Sequence, residues 1–275
     1  MYDDVRCYIF MKRIEVCNSP RIVPLTNEFT TTFENQWNKF RAQWCNCHDL
    51  DGAKAFSHDD IKIVMFHRVT QINVPVEEAE RLIDDALQYY QEKNFDCIFT
   101  LSPLDQPSDF EERLRKKGFE LALMPVAMLS DRPCDFSAPS DVSVRIAEAT
   151  HYNVWADIMC QCFENPPETA EIGRNALNVP EVRLYLAERN SEPAGTALLY
   201  SAGGMGYIDA VSTLPEHRRK GVASAIIARI VNDSHNMGNR WTALEVESDS
   251  PAERVYENLG FRRMYFRARY RKSFL

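Results

Sequence analysis

The second half of the chain alternates short apolar runs with amphipathic ones, and polar turns separate them. Residues 142–146 alternate between apolar and polar side chains, as a half-buried strand does. Residues 149–163 place Trp155, Ile158 and Cys162 near one face, as a helix does. Farther along, the pattern predicts a short helix at 167–178, strands at 182–188, 194–201 and 207–213, a helix at 222–232, a strand at 241–247 and a helix at 250–261.

The last of these helices has clear end signals. Ser250 is placed to cap its start, Pro251 suits its first turn, and Glu253 completes a Ser-x-x-Glu capping box. Gly260 is placed to end it in a left-handed conformation. The helix therefore carries Tyr256 in its middle.

The first half of the chain repeats, in weaker form, the strand–helix–strand–helix pattern that ends the second half. Two differences separate the two copies. Between Val69 and the next helix there is neither a glycine-bearing loop nor a basic cluster, and Leu114 stands where Tyr256 stands in the second copy. A rival interpretation is that any α/β domain yields such a pattern. The repeat consists of a strand at 61–69, a helix at 76–93, a strand at 96–101 and a helical segment at 109–119 that ends in Gly-Phe.

A connector rich in Pro, Ser and Asp divides the halves at about residues 131–141. We therefore predict a first domain at residues 1–132, a linker at 133–142 and a second domain at 143–275. A chain of 275 residues is long enough for two ordinary domains.

The most informative stretch is basic and carries one glycine, Arg218-Arg219-Lys220-Gly221-Val222-Ala223. It follows a predicted strand and opens a predicted helix. The first amides of a helix lack partners within it and attract anions. Gly221 allows close approach to the backbone, and the three cations add charge. This segment predicts a phosphate-binding loop.

The spacing Arg-x-x-Gly-x-Ala resembles the acyl-CoA pyrophosphate loop of the GCN5-related N-acetyltransferase (GNAT) family, in which Ala replaces a common Gly. The segment 252–261 resembles the last core helix of that family. The resemblance implies an α/β (α+β) protein with two GNAT-like domains, each a mixed, mostly antiparallel sheet flanked by helices. The first domain would lack the cofactor loop, and the second would carry catalysis. The Asn that often follows the strand at 241–247 in the family is absent, and Ser248 or Asp249 occupies that region, so the sequence does not support one of the family's cofactor contacts.

The same resemblance implies that acetyl-CoA is the co-substrate. The strand before the loop would pair its free backbone with the pantetheine arm, and an amide near Val211 or Ser212 would polarise the thioester carbonyl. The expected cofactor-binding residues are Val211, Ser212, Thr213, Arg218, Arg219, Lys220, Gly221, Val222, Ala223 and Ser224.

Three residues are candidates for catalysis. The resemblance assigns Tyr256 as the general acid that protonates the leaving thiolate. Glu245 is the first candidate base, because strand alternation turns it away from the apolar face and it resembles the glutamate that some family members use to deprotonate the amine. Asp209, on the strand before the loop, is the second candidate. A proton relay through water, with no single base, stays open as an alternative.

Composition limits the other classes of function. The net charge is −8 and argues against nucleic acid as the main partner. No apolar run has the length of a membrane span, and Met1–Arg6 lack a signal-peptide pattern, so we expect a cytoplasmic protein. The eight cysteines, including Cys45, Cys47, Cys160 and Cys162, are interpreted as free thiols, and no metal site is expected.

These observations predict an acyl-CoA-dependent N-acetyltransferase that acts on a primary amine of a small molecule. The first domain would shape the substrate cleft or mediate contacts in a homodimer. Two alternatives remain: a non-catalytic acetyl-CoA-binding sensor or adaptor, and an enzyme that acetylates protein amines. Retention of Tyr256 argues against the sensor.

Overall fold

The computed structural model of the protein describes residues 27–61 and 63–274. The prediction about a signal peptide at Met1–Arg6 lies outside these residues. The helices are α1 (Asn27–Arg41), α2 (Ala79–Glu92), α3 (Phe110–Lys116), α4 (Tyr152–Phe163), α5 (Thr169–Ala176), α6 (Val222–Asn236) and α7 (Pro251–Asn258). The strands are β1 (Asn46–Asp49), β2 (Lys54–Ser57), β3 (Arg68–Thr70), β4 (Cys97–Leu101), β5 (Glu120–Leu123), β6 (Pro125–Ser130), β7 (Val142–Ile146), β8 (Val182–Arg189), β9 (Glu192–Ala202), β10 (Met205–Thr213), β11 (Trp241–Glu247), β12 (Arg262–Phe266) and β13 (Ala268–Lys272).

The strands form two sheets, and each sheet takes one strand from the other half of the chain. The first has the order β1-β2-β3-β4-β13-β5, and the second has the order β12-β6-β11-β10-β9-β8-β7. Strand β6 precedes the linker but pairs with β11 and β12, whereas β13 pairs with β4 and β5. The division at residues 133–142 stays a prediction, and the sheets exchange strands across it.

Taken from β8 to β12, the second sheet has the order β8-β9-β10-β11-β6-β12, which corresponds strand by strand to the order of the first sheet. Strand β7 is an addition at the edge of the second sheet. In each sheet, one parallel pair stands among antiparallel neighbours: β3 with β4 in the first sheet and β10 with β11 in the second. Helix α2 connects the first parallel pair, and α6 connects the second. The predicted fold class, two mixed and mostly antiparallel sheets flanked by helices, is confirmed.

Helix α1 was not predicted from the sequence, and it joins the two halves. Its aromatic residues recur at helical spacing, and all four are buried. Phe29 packs edge-on against Trp241, and Phe33 packs against Tyr207, both in the second sheet. One core therefore spans both halves. The aromatic residues of α1 in this core are Phe29, Phe33, Trp37 and Phe40.

The predicted strand at residues 61–69 was wrong. A single 3-10 turn occupies Val64–Phe66, and β3 is a strand of three residues that begins at Arg68. The buried imidazole Nε2 of His67 lies 2.9 Å from the carbonyl oxygen of Ile61 across this bend. The apolar run therefore packs as a turn rather than as an extended strand.

The end signals of α7 were predicted correctly, with one difference. The Ser250 hydroxyl accepts a hydrogen bond from the Glu253 amide at 3.2 Å, and Gly260 has a φ of 91°. The Glu253 carboxylate accepts from the amide of Asp249 at 2.6 Å, one residue earlier than a capping box requires. It is also paired with Arg263. These contacts fix the start of the helix that carries Tyr256.

Within residues 27–61 and 63–274, no helix has the length and apolar content needed to cross a membrane. Over the same residues, no group of three or more His, Cys, Asp or Glu is arranged to hold a metal ion. The cysteines described in the structure are unpaired: Cys45, Cys47, Cys97, Cys134, Cys160 and Cys162.

A buried carboxylate in the first half predicts a pH-dependent stability. Asp105 accepts hydrogen bonds from the amides of Ser102 at 2.6 Å and Ile72 at 3.0 Å, and burial raises its pKa from 3.8 to about 7. Between these two pKa values the unfolded chain releases a proton that the folded chain keeps. Stability therefore falls as pH rises from about 4 to 7, by at most about 1.4 kcal/mol per pH unit from this residue.

We expect Asp105→Asn to remove this part of the pH dependence. Urea unfolding at about pH 5 and pH 7 measures the free energy of unfolding of both proteins. Between these pH values the free energy of unfolding should fall by roughly 1–3 kcal/mol more for wild type than for the variant. The exposed Asp60→Asn variant is the matched control and should follow wild type at both pH values. An equal difference between wild type and Asp105→Asn at both pH values would refute the assignment.

Candidate functional site

An opening between β10 and β11 forms the centre of the candidate site. The two strands pair in parallel from Met205–Trp241 to Ile208–Leu244, and within the described strands the pairing then ends. Strand β10 bulges against β9 at residues 209–212, and Ala210 there has a φ of 53°. A bulge bends its strand and re-aims its backbone groups. The backbone of residues 209–213 therefore faces the opening without a strand partner from β11.

The predicted phosphate loop lies at the end of β10 and leads into α6. A 3-10 turn at Pro215–His217 is followed by two left-handed residues, Arg219 with φ 62° and Gly221 with φ 81°. Helix α6 begins at Val222, and no side chain caps its first amides. Exposed amides at the start of a long helix form an anion-binding site. Local structure here is as predicted from the sequence.

The basic side chains of this loop are exposed, and two are held by backbone carbonyls. Arg218 donates through Nε to the carbonyl oxygen of Thr213 at 3.1 Å, and Lys220 donates through Nζ to that of Glu216 at 2.8 Å. A Cβ at Gly221 would lie 2.8 Å from Cγ of Pro139, in the predicted linker. Glycine is therefore required here by backbone angle and by close packing against the linker.

Tyr256 is buried on α7 beside the opening. Its side chain packs against Phe261, with ring centroids 5.9 Å apart. Burial and the nearby Asp209 carboxylate raise the pKa of its hydroxyl above the ordinary value. Tyr256 is therefore a protonated phenol near Asp209.

Asp209 lies at the point where β10 separates from β11, and both its oxygens accept hydrogen bonds. One accepts from Nη2 of Arg41 at 2.9 Å, and the other accepts from the amide of Ala210 at 2.8 Å. Its side chain is 24% exposed, whereas that of Arg41 is 6% exposed. Asp209 is thus a partly accessible carboxylate, held in place from the first half of the chain.

Glu245, the other candidate base, lies deeper. Its carboxylate pairs with Arg267 and Arg269, and Nη1 of Arg68 lies 3.7 Å from one of its oxygens. Its side chain is 10% exposed. The alternation of β11 was interpreted correctly, because Leu244 joins the core beneath α6 and Glu245 faces the other way. That other face is covered by arginines rather than by solvent.

Sequence reasoning missed the buried group that links Glu245 to the first half of the chain. Arg267 is fully buried and donates to Glu34 through Nε at 2.9 Å and through Nη2 at 2.8 Å. The Tyr265 hydroxyl donates to the same Glu34 at 2.7 Å. The aromatic period of α1 was the available signal for the helix. The pairing of Glu34 on α1 with Arg267, 233 positions away in the sequence, leaves no signal in the sequence around either residue.

The charge of Asp209 therefore acts on the Tyr256 hydroxyl, whereas Glu245 lies deeper among arginines. The cofactor-binding candidates on β10 line the bulge, where the hydroxyls of Ser212 and Thr196 are 2.5 Å apart. Val211 and Thr213 flank Ser212 on the same strand. The candidates Arg218, Arg219, Lys220, Gly221, Val222, Ala223 and Ser224 form the loop and the first turn of α6.

Comparisons with known proteins point to one family. Residues 151–261 match the acetyltransferase (GNAT) family. An uncharacterized N-acetyltransferase, YsnE, from Bacillus subtilis (strain 168) is 31% identical over 102 residues, which are 35% of this chain and 68% of that protein.

Solved structures share the fold over most of the chain. A GCN5-related N-acetyltransferase from Kribbella flavida has a TM-score of 0.70 at 14% identity, over 88% of this chain and 95% of that one. A tandem GNAT protein from the clavulanic acid biosynthesis pathway has a TM-score of 0.62 at 13% identity, over 80% of this chain and 78% of that one. The chain belongs to the GCN5-related N-acetyltransferase superfamily.

Proposed function

We propose that the protein transfers an acetyl group from acetyl-CoA to the primary amine of a small molecule. The observation that supports this most is the opening between β10 and β11, because an anion-binding loop ends it and a protonated tyrosine lies beside it. A sensor needs the loop but has no use for the phenol. The arrangement therefore favours catalysis over binding alone.

The chain offers suitable partners for each part of acetyl-CoA. The amides of residues 222–224, with Arg218, Arg219 and Lys220 around them, would hold the pyrophosphate. The unpaired backbone edge of residues 211–213 would pair with the amides of the pantetheine arm as an added strand does. The charge of the loop and the geometry of the strand therefore suit this co-substrate.

Acetyl-CoA supplies a thioester with a leaving thiolate. A backbone amide at Val211 or Ser212, turned outward by the bulge, would donate to the carbonyl oxygen as negative charge develops there. Tyr256 would donate its hydroxyl proton to the thiolate. At neutral pH this phenol carries its proton, which is the form that a general acid needs.

Asp209, rather than Glu245, would receive the amine. Asp209 is partly exposed at the opening and its charge reaches Tyr256, whereas the oxygens of Glu245 are enclosed by guanidinium groups. A carboxylate that already accepts two hydrogen bonds suits orientation of the ammonium and transfer of its proton through a water molecule. Glu245 would serve to hold the arginines of the interface.

A small acceptor is favoured by the cover over the site. The side chains of α1 pack on β10, and Arg41 reaches Asp209 from there. A protein chain needs an open groove to place its amine, whereas a small amine fits a covered site that excludes water.

Free thiol released from acetyl-CoA in the presence of single primary amines tests this proposal. We expect release that depends on the amine, with a product heavier by one acetyl group. Asp209→Asn should lower kcat/KM by about 100-fold, and the exposed control Glu112→Gln should have no effect. Thiol release at the same rate with and without any amine would overturn transfer to an amine. So would the absence of thiol release from a protein that binds acetyl-CoA. Turnover of peptides alone would overturn the small acceptor.

A further inference from the structure

The interface between the two halves buries more positive than negative charge. Four arginines, which we call the arginine cluster, meet three carboxylates there, so the group carries one positive charge in excess. Over residues 27–61 and 63–274, all the donor nitrogens of Arg267 have acceptors, on Glu34 and Glu245, and those of the other three arginines do not. The arginine cluster is Arg41, Arg68, Arg267 and Arg269, and the carboxylates are Glu34, Asp209 and Glu245.

The other arginines keep buried N–H groups without an acceptor in the described part of the chain. These are Nε of Arg41, Nε and Nη1 of Arg68, and Nε of Arg269. The indole Nε1–H of Trp37 is buried without an acceptor as well. The side chains of Arg41 and Arg68 are 6% and 5% exposed. Buried donors are nearly always paired in folded proteins, so a group of five calls for an acceptor.

Three of the four arginines pack around the indole ring of Trp37, whose own N–H is one of the unpaired donors. The guanidinium carbons of Arg41, Arg68 and Arg267 lie 5.2, 5.5 and 4.8 Å from the ring centroid of Trp37. Burial and the neighbouring arginines lower the pKa of Arg68 to about 9, and they lower that of Arg269 as well. The crowded cations therefore favour an anion among them.

We infer that the arginine cluster binds a carboxylate of the acceptor, so that the acceptor is an amino acid or a closely related amino carboxylate. This inference rests on the proposed function, because the cluster reaches the site through the Arg41–Asp209 ion pair. A carboxylate brings several acceptor lone pairs in one planar group, which suit the unpaired guanidinium and indole donors.

The positions of the two charged groups suit one small molecule. Asp209 stands at the end of the β10–β11 pairing and would hold the ammonium. Arg41, which pairs with Asp209, and Arg68, which packs on the same indole ring as Arg41, would hold the carboxylate. The ammonium and carboxylate of an α-amino acid are joined through one carbon, so both reach their partners together. The arginines come from both halves of the chain, because Arg41 and Arg68 precede the linker and Arg269 follows it.

The test compares acceptors that differ in the anionic group alone. Alanine, leucine and phenylalanine would each be assayed by thiol release beside the matching amine without the carboxylate, the carboxamide and the aminophosphonate. We expect kcat/KM to be about 10- to 100-fold higher for the amino acids than for the matched amines and amides. Arg68→Met should reduce this ratio to near one, whereas the exposed control Arg81→Met should keep it.

The other possible results distinguish a failure of the carboxylate site from a failure of the proposed acetyltransferase function. Matched amines that react as well as the amino acids, or aminophosphonates that react better, would overturn the carboxylate site and leave the acetyltransferase proposal in place. If no amine reacts, the proposed function fails, and thermal denaturation with the same amino acids tests the site alone. Stabilisation of wild type but not of Arg68→Met would support the site, and stabilisation of neither would overturn it.

Discussion

Replacement of Tyr256 by phenylalanine is expected to lower kcat for acetyl transfer by about 10²- to 10⁴-fold. The phenol is buried on α7 within reach of the charge of Asp209, which stands at the end of the β10–β11 pairing, and it carries a proton at neutral pH. Phenylalanine fills nearly the same space against Phe261 but has no proton to give. Binding of acetyl-CoA should be kept, because the loop and the strand edge that hold it are unchanged.

The matched control is Tyr185→Phe in the same half of the chain. Tyr185 is fully buried, and its hydroxyl donates to Asp233 at 2.9 Å on α6, away from the opening. This variant should lose some stability and keep kcat within a few-fold of wild type. A Tyr256→Phe enzyme that turns over at the wild-type rate would remove the assigned acid. Wild type that binds acetyl-CoA without turnover would favour a sensor.

Local signals in the sequence predicted the parts of the site that depend on neighbours along the chain. The loop at 218–223 joins a strand to a helix, and β11 spans Trp241–Glu247 as predicted. Ser250 and Gly260 mark the ends of α7, which places Tyr256. These features were predictable because caps, glycine turns and strand alternation act over a few residues.

The parts that could not be predicted depend on contacts between distant segments. Exchange of β6 and β13 between the sheets leaves no periodic signal, since each strand has an ordinary apolar pattern. Arg267 looks like a surface residue in the sequence, yet Glu34 pairs with it in the core. Glu245 was expected to face an open site because alternation fixes the face of a strand. The arginines that cover that face are distant in the sequence: Arg68 lies in the other half, and Arg267 and Arg269 follow α7.

Helix α1 is different, because the signal was present in the sequence. Phe29, Phe33, Trp37 and Phe40 recur at helical spacing, and this period predicts an amphipathic helix. Arg41 follows as its last residue and reaches Asp209. The period indicates a helix before β1, but it does not indicate that this helix packs on the second sheet.

The most direct test of the account is a calorimetric titration of acetyl-CoA into three proteins: wild type, Ala223→Asp and Asn236→Asp. Ala223 lies in the first turn of α6, and Asn236 is the exposed last residue of the same helix. Both variants add one negative charge. An acid in the first turn suits the helix dipole, so Ala223→Asp should stay folded in thermal denaturation.

We expect wild type and Asn236→Asp to bind acetyl-CoA alike. An aspartate placed about 5 Å from the pyrophosphate costs roughly 3 kcal/mol at an effective dielectric constant of about 20, so Ala223→Asp should bind about 100-fold more weakly. Equal binding by Ala223→Asp would place acetyl-CoA elsewhere. Failure of folded wild type to bind would contradict the acetyltransferase account and leave the shared fold alone.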